Sequence, residues 1–479
     1  MIPVTVYRDK TIALFGLGLS GISAAKALKE GGAHPILFDE SAERCDAARG
    51  AGYEVQNLRE LDWRQVQALV LSPGVPLTHP EPHWSVELAR RYEVPVIGDT
   101  ELFFSEFLAR GHCDKVIAIT GTNGKSTTTA LATHLLKAAG VRVEMGGNIG
   151  VGVLDLTDFG SKTVYVIELS SYQIDLTPTM VPSAAGLLNI TPDHIDRHGT
   201  VENYAEVKGQ IFSQLAFDQL AVVSLDDEYC EKISKSIPAG VPTKFVSHSQ
   251  NVKDGIEIDG TSLTMRAEGR TVNRLDLDGI ASLRGLHNMQ NAAFAYLLCN
   301  HVCSLDEAMI AGLRTFPGLA HRMQQIGQYA EDGREILFIN DSKATNADAS
   351  EQALMSFEKI YWIVGGVAKE GGIEGLSDHF SQVQKAYLIG EETGEFAACL
   401  DAHSVKYAEC RTLEVAVDLA FADALKEEQL KGSQSPAILL SPAAASFDQY
   451  ANFEIRGAAF EKIVSRIDGV LTLPGIDQK

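Results

Sequence analysis

Lys125, Ser126 and Thr127 stand directly behind the glycine turn Gly121-Thr122-Asn123-Gly124, which itself follows the apolar run Val116-Ile117-Ala118-Ile119. That combination can hold a phosphate. Glycines let backbone N–H groups come close to the oxygens, a lysine adds a mobile positive charge, and a hydroxyl can ligate magnesium. The common phosphate-loop pattern places four residues between its first glycine and the Gly-Lys pair, whereas only two separate Gly121 from Gly124 here. The loop is a shortened variant. Glu168 ends a second apolar run, Thr163-Val164-Tyr165-Val166-Ile167, just ahead of Ser170-Ser171-Tyr172-Gln173. An acid so placed beside a phosphate loop is a magnesium ligand, and the alternative is a helix cap. The cluster Asp193-His194-Ile195-Asp196-Arg197-His198 brings imidazoles and carboxylates together after the run Ala185–Ile190. It offers groups for a metal or for proton transfer, against a plain hydrogen-bonded turn.

Three other stretches carry chemistry. Gly16-Leu17-Gly18-Leu19-Ser20-Gly21 lies between the apolar run Thr11–Phe15 and an alanine-rich segment, and Asp39 follows a second run. An acid about 20 residues past such glycines takes a ribose hydroxyl in dinucleotide sites, while tight helix–strand packing alone can also require the glycines. Ser72-Pro73-Gly74 is a rigid turn at the carboxyl end of Ala68–Leu71, where ligands bind in doubly wound sheets. The amides of Asn288 and Asn291 suit an adenine edge.

Positioning these residues requires alternating strands and helices. The apolar runs at 11–15, 35–38, 68–71, 116–119, 163–167, 185–190, 336–339, 361–364, 386–389 and 437–440 predict strands. The residues from Lys125 to Lys137, with Leu131, Leu135 and Leu136 on one face and Gly140 at the end, predict a helix, as do those following Gly21 and Gly285. Alternation of this kind predicts parallel sheets throughout, in three α/β units divided near residues 99 and 318.

The chain has 479 residues, 45% of them hydrophobic, enough for two or three cores. Its net charge of −22 disfavours nucleic acid and anionic membranes as partners without excluding a small phosphate ligand. Seven scattered cysteines without a Cys-x-x-Cys pair argue for a reducing compartment and against zinc. The first ten residues lack the pattern of a signal peptide and no apolar run is long enough to span a membrane, so a cytoplasmic location is expected.

Thr120–Thr127 resembles the ATP loop of the Mur ligases and the related folylpolyglutamate synthases, and the order of motifs from Gly16 to Gly457 is similar to the Mur ligases that add D-glutamate. The other pieces are Gly16–Gly21 with Asp39, Gly146–Gly150, Glu168–Gln173, Ala320-His321-Arg322, Asn340–Asn346, and Leu440–Asp448 with Asn452-Phe453-Glu454. The resemblance implies a Rossmann-like domain over 1–99 that binds a UDP-linked substrate, a central ATP-binding domain over 100–318 with a mostly parallel sheet, and a Rossmann-like domain over 319–479 that takes the incoming amino acid. It implies ATP-driven joining of D-glutamate to UDP-N-acetylmuramoyl-L-alanine in peptidoglycan synthesis, through an acyl phosphate and a tetrahedral intermediate, by a monomer whose domains close on their ligands. Another Mur ligase or a folylpolyglutamate synthase-like amide ligase is the alternative. A nicotinamide oxidoreductase, suggested by Gly16–Gly21 alone, and a nucleotide switch, suggested by the phosphate loop alone, leave the remaining motifs without a role.

By the same resemblance, ATP would meet Gly121, Thr122, Asn123, Gly124, Lys125, Ser126, Thr127, Asn291, Arg322 and Asp341. Two magnesium ions would use Ser126, Glu168, His194 and a carbamate formed on Lys208 by carbon dioxide. Lys125, Glu168, His194, Lys208 and Lys343 would form the catalytic set. The UDP-linked substrate would contact Gly18, Leu19, Ser20, Asp39, Ser72, Pro73, Gly74 and Asn148, and D-glutamate would contact Thr345, Lys369, Ser446 and Phe453. In the glycine-rich turn Gly365-Gly366-Val367-Ala368-Lys369-Glu370-Gly371-Gly372 this chain departs from the family's usual Gly-Gly-Asp-Gly-Lys.

Overall fold

The computed structural model describes residues 1–473 apart from 112, 305, 332–333, 369–370, 391–392 and 427–434. Two compact units are present: one comprises Met1–Asp278 with Asn288–Thr315, the other Gly279–His287 with Phe316 onward.

The first unit holds two sheets. Strands β1 (Thr11–Phe15), β2 (His34–Phe38), β3 (Glu54–Val55), β4 (Val66–Leu71) and β5 (Val96–Ile97) form a sheet in the order β3-β2-β1-β4-β5, with every pairing parallel. The order reverses at β1, so the crevice beyond its carboxyl end, between Gly16–Gly21 and Ser72–Gly74, is a topological switch point. Helix Asp99–Arg110 leads out of this sheet, and Phe103 and Phe104 lie fully buried in a core shared with the second sheet.

The second sheet has β6 (Lys115–Thr120) between β8 (Val164–Glu168) and β9 (Ala184–Leu187), with β7 (Val143–Gly147) at one edge. On the other side follow β10 (Leu220–Ser224), β11 (Thr243–Ser247), β12 (Gly255–Asp259), β13 (Ser262–Ala267) and β14 (Arg270–Asp276). Register places Ile119 beside Glu168 and Thr120 beside Leu187, so the phosphate loop and the acid leave the sheet at the same level. Near-continuous apolar strands are what a sheet covered on both faces demands; β6, β8, β9 and β10 are buried apart from Lys115.

In the second unit the order is β19 (Tyr407–Arg411), β18 (Val383–Ile389), β17 (Ile360–Gly365), β20 (Ala437–Leu440), β16 (Arg334–Asn340), β15 (Gln324–Glu331), β21 (Val470–Thr472). Asn340 pairs with Leu440, bringing the loops after β16 and β20 side by side.

Two expectations need correction. The sheets are not parallel throughout, because β12, β13 and β14 form an antiparallel meander and β15 runs antiparallel to both β16 and β21. The meander is built on the dipeptides Asp259-Gly260 and Glu268-Gly269, whose glycines take φ of +56° and +77°, the left-handed backbone of tight hairpins. The run predicted as a strand over 185–190 leaves the sheet at Leu187, since Leu188, Asn189 and Ile190 turn to meet the phosphate loop and the Asp227 carboxylate.

Candidate active site

Gly124 caps helix Lys125–Ala138 in the left-handed conformation, φ +81°, and a side chain there would collide with the Asn291 amide. Glycine is therefore required on both grounds. Asn189 fixes the loop by accepting from Asn123 N at 2.8 Å through Oδ1, while its backbone oxygen accepts from Thr122 N at 2.9 Å. Asn291 accepts from the Thr128 hydroxyl at 3.1 Å and donates to Asn288 at 3.1 Å, so Asn291 sits against the loop and Asn288 stands behind it. Ser126 is buried under the loop, and Thr127 and Thr122 are half-buried.

Lys125 folds back, its Nζ donating to Gly121 O at 2.9 Å and Thr122 O at 2.7 Å. Lys208, from helix Val201–Gly209, approaches the same carbonyl: its Nζ lies 2.9 Å from Gly121 O and 3.2 Å from Thr120 Oγ1, and over the Tyr204 ring. Lys208 is 1% exposed. Burial, and then the charge of Lys125, hold its amine well below the ordinary lysine range. Two ammonium ions sharing one carbonyl in a dry site repel each other, which favours a neutral Lys208.

Glu168 faces this pair, 2% exposed. Its Oε1 accepts from Asn148 Nδ2 at 2.8 Å, but Oε2 is buried with no hydrogen-bond partner. An orphaned carboxylate oxygen is costly unless a cation completes it, and Glu168 Oε2 together with the hydroxyl of buried Ser126 is an all-oxygen donor set of the kind magnesium takes. Asn148, expected near the UDP-linked substrate, is thus bound to Glu168. His194 is exposed in a left-handed backbone conformation, φ +53°, with its ring 5.0 Å from that of Tyr172 and its Nε2 3.5 Å from Asp193. His198 is buried and lies 2.9 Å from Ser171 Oγ. Burial, reinforced by His194, Lys208 and Arg197, lowers its pKa to about 4.

In the first sheet, Asp39 closes the glycine turn by accepting from Leu17 N at 2.7 Å and Ser41 N at 2.8 Å, with Arg44 3.4 Å away. Burial alone would raise its pKa, but these donors outweigh it and the net shift is downward. Gly18 and Ser20 are partly exposed, Leu19 almost wholly so, at the start of helix Leu19–Glu30. Ser72, Pro73 and Gly74 stand opposite, and the Arg197 guanidinium ties their turn to the central sheet by donating to Gly74 O at 2.8 Å, Val75 O at 2.9 Å and Pro73 O at 3.3 Å.

In the second unit Asp341, Lys343, Thr345 and Ser446 cluster on the loops after β16 and β20, with Arg322 before β15. Asp341 accepts from Met323 N at 3.1 Å and Ser441 Oγ at 2.8 Å, and burial raises its pKa to about 7. The Lys343 ammonium lies 4.0 Å from the Phe453 ring, and Phe453 O accepts from Ser342 Oγ at 2.8 Å. Arg456, 1% exposed, spans the two loops by donating to Ser342 O at 2.9 Å and Ala444 O at 3.1 Å. Lys369 lies outside the described residues.

Comparison with known proteins decides the lineage. Residues 119–299 match the Mur ligase middle domain. Over 476 residues, 99% of both chains, the protein is 50% identical to a UDP-N-acetylmuramoylalanine--D-glutamate ligase of Rhizobium johnstonii. The chain belongs to the Mur ligase family. The protein is also similar to a UDP-N-acetylmuramoylalanine--D-glutamate ligase of Brucella abortus, at 48% identity over 99% of this chain and 98% of the relative. Among solved structures, UDP-N-acetylmuramate-alanine ligase of Thermotoga maritima matches with a TM-score of 0.54 at 16% identity, over 95% of this chain and 98% of that one. That match shows the shared fold.

Sequence reasoning gives no role to Asn189 or Arg456, and it places Arg197 and His198 in the Asp193–His198 cluster without the contacts that they make. Asn189 was read as a strand end, and Arg197 joins carbonyls 122 to 124 residues away. Only the long-range fold reveals either. An arginine four residues past Asn452, amid Ile455, Gly457, Ala458, Ala459 and Phe460, is the one available signal for Arg456.

Proposed function

We propose that this Mur ligase joins the amine of D-glutamate to the alanyl carboxylate of UDP-N-acetylmuramoyl-L-alanine at the expense of ATP, giving ADP and phosphate for peptidoglycan synthesis. The observation that carries the site assignment is the buried Lys208 amine, set against the phosphate loop opposite the unpartnered Glu168 oxygen. Domains over 1–99, 100–318 and 319–479 divide the work into UDP-substrate, ATP and amino-acid binding. Phosphoryl transfer between two anions needs fixed positive charge. Lys125, released from the loop carbonyls, meets the phosphates of ATP together with the backbone of Gly121 to Gly124, while Asn123, Asn291, Arg322 and Asp341 orient the nucleotide. Ser126, Glu168, His194 and Lys208 as a carbamate would hold two magnesium ions, which neutralise charge on the phosphates and the carboxylate when bound.

The uncharged amine is the form that captures carbon dioxide, burial favours it, and forming the carbamate releases a proton to solvent and adds a second carboxylate-like ligand beside Glu168. Thr345, Lys369, Ser446 and the Phe453 backbone hold the two carboxylates of D-glutamate so that its amine reaches the acyl phosphate, forming the amide and releasing phosphate, which Lys343 meets. Gly18, Leu19, Ser20, Asp39 and Ser72 to Gly74 take the uridine diphosphate end. The test is incorporation of labelled amino acid into several UDP-muramoyl acceptors with ATP and magnesium. D-Glutamate should be incorporated into UDP-N-acetylmuramoyl-L-alanine alone; preference for another amino acid, or for a folate acceptor, would replace this reading with another member of the superfamily.

A further inference from the structure

Away from the catalytic residues, the third sheet carries a cluster that none of the chemistry above uses. Glu374 opens the segment Glu374–Gln382, Cys399 lies in helix Gly394–Ala402, and His403 caps that helix. Cys399 and His403 are four apart on one helical face, and Glu374 reaches them from across the gap. Its Oε1 lies 3.0 Å from His403 Nε2, and its Oε2 accepts from Cys399 Sγ at 3.3 Å. One ligand atom from each residue falls within 4.8 Å of the others.

We propose that Glu374, Cys399 and His403 form a binding site for one transition-metal cation of the zinc class. The donor set decides the class: a sulfur, an imidazole nitrogen and a carboxylate oxygen suit zinc or cobalt and disfavour magnesium or calcium, which take oxygen. Bonds of about 2.0–2.3 Å in tetrahedral geometry put ligand atoms about 3.5 Å apart, so side-chain adjustment alone closes the set. The supports are in place. The His403 ring stands edge-on to Phe380 at 5.4 Å, which orients it, and Cys399 packs against the core of its own unit. On binding, the thiol gives its proton to solvent and Glu374 exchanges that hydrogen bond for a metal bond. Glu374 and His403 remain 66% and 33% exposed at the side chain, leaving the fourth position to water. Bound metal would pin the chain just after the turn Gly371-Gly372 to helix Gly394–Ala402. Cysteine spacing alone gives no sign of such a site, because Glu374 lies 25 residues upstream of Cys399.

Cobalt titration of the full-length protein tests this. A cobalt–thiolate complex shows a near-ultraviolet charge-transfer band, whereas cobalt at the oxygen and nitrogen ligands proposed for the ATP site shows none. The band should saturate at one equivalent, be removed by added zinc, and vanish in Cys399→Ala. His403→Ala and Glu374→Gln should each weaken cobalt binding by more than about tenfold. All three variants should keep ligase turnover with magnesium alone, which verifies their folding. No band in the unaltered protein, a band persisting in Cys399→Ala, or unchanged affinity in both His403→Ala and Glu374→Gln would overturn the site, the last result indicating a surface thiol acting by itself.

Discussion

Lys208 and Lys125 touch the same carbonyl oxygen, yet their environments assign them opposite tasks. Lys208 is buried, and burial and then the charge of Lys125 push its amine well below the ordinary lysine range, which suits it to become an anion, while Lys125 is needed as a cation. Lys208→Ala should cut turnover by about 10²–10³-fold, and acetate or formate should restore part of it, because the vacated space needs oxygens rather than the lysine stem. Lys125→Ala should lose about 3–4 kcal/mol of transition-state stabilisation and gain nothing from either acid. Equal rescue of both variants would remove Lys208 from the carbamate position. His198 gives a prediction on stability instead. Its folded pKa of about 4 lies below the unfolded value near 6.5, so above pH 6.5 both states are neutral and no cost arises. As pH falls from 6.5 toward 4 the unfolded chain takes up the proton first, and the fold loses roughly 3 kcal/mol. Chemical denaturation across this range should show the loss, and His198→Gln should flatten it; an unchanged slope would put the effect elsewhere. The phosphate loop was legible at this scale because its residues are adjacent in sequence. The lowered pKa of Lys208 was not, since only the fold buries its amine and brings Lys125 beside it.

Among elements, the glycine turn after β1 depends on two local contacts. Asp39 ties Leu17 from the end of β2, and Gly21 packs so closely on the turn that a Cβ would collide with Gly16 O. Hydrogen bonds to a charged group contribute about 1.5–3 kcal/mol each, so Asp39→Ala should loosen the turn without unfolding the sheet. Its KM for the UDP-linked substrate should rise while that for ATP stays unchanged; steady-state kinetics with each substrate varied in turn separates the two. A rise for ATP alone would assign the wrong nucleotide to this sheet. Most strands were readable because fully buried parallel strands are runs of apolar residues with glycine turns at their ends. The β12–β14 meander escaped because β14 is exposed apart from Leu275, giving little apolar signal between its turns. β21 is only three residues long, too short for any periodicity to register.

At the scale of the molecule, the first unit has apolar clusters around both of its sheets and the second has its own on the two faces of the third sheet. Units with separate cores are expected to unfold in separate steps. The proposed UDP-substrate residues, from Gly18 to Asn148, all belong to the first unit, whereas Thr345, Ser446 and Phe453 belong to the second. A ligand at 100 times its Kd stabilises the unit that binds it by about 2.7 kcal/mol, worth several degrees in Tm for a unit of this size. Scanning calorimetry should therefore show two transitions, and UDP-N-acetylmuramoyl-L-alanine alone should raise one of them and leave the other in place. Cys399 is only half-buried at the margin of the second unit's core, so without added metal Cys399→Ala should leave the first unit's transition in place and lower the other only slightly. If a single transition appears and moves as a whole with the UDP-linked substrate, the two units unfold together and that substrate's binding energy reaches the amino-acid unit before D-glutamate arrives.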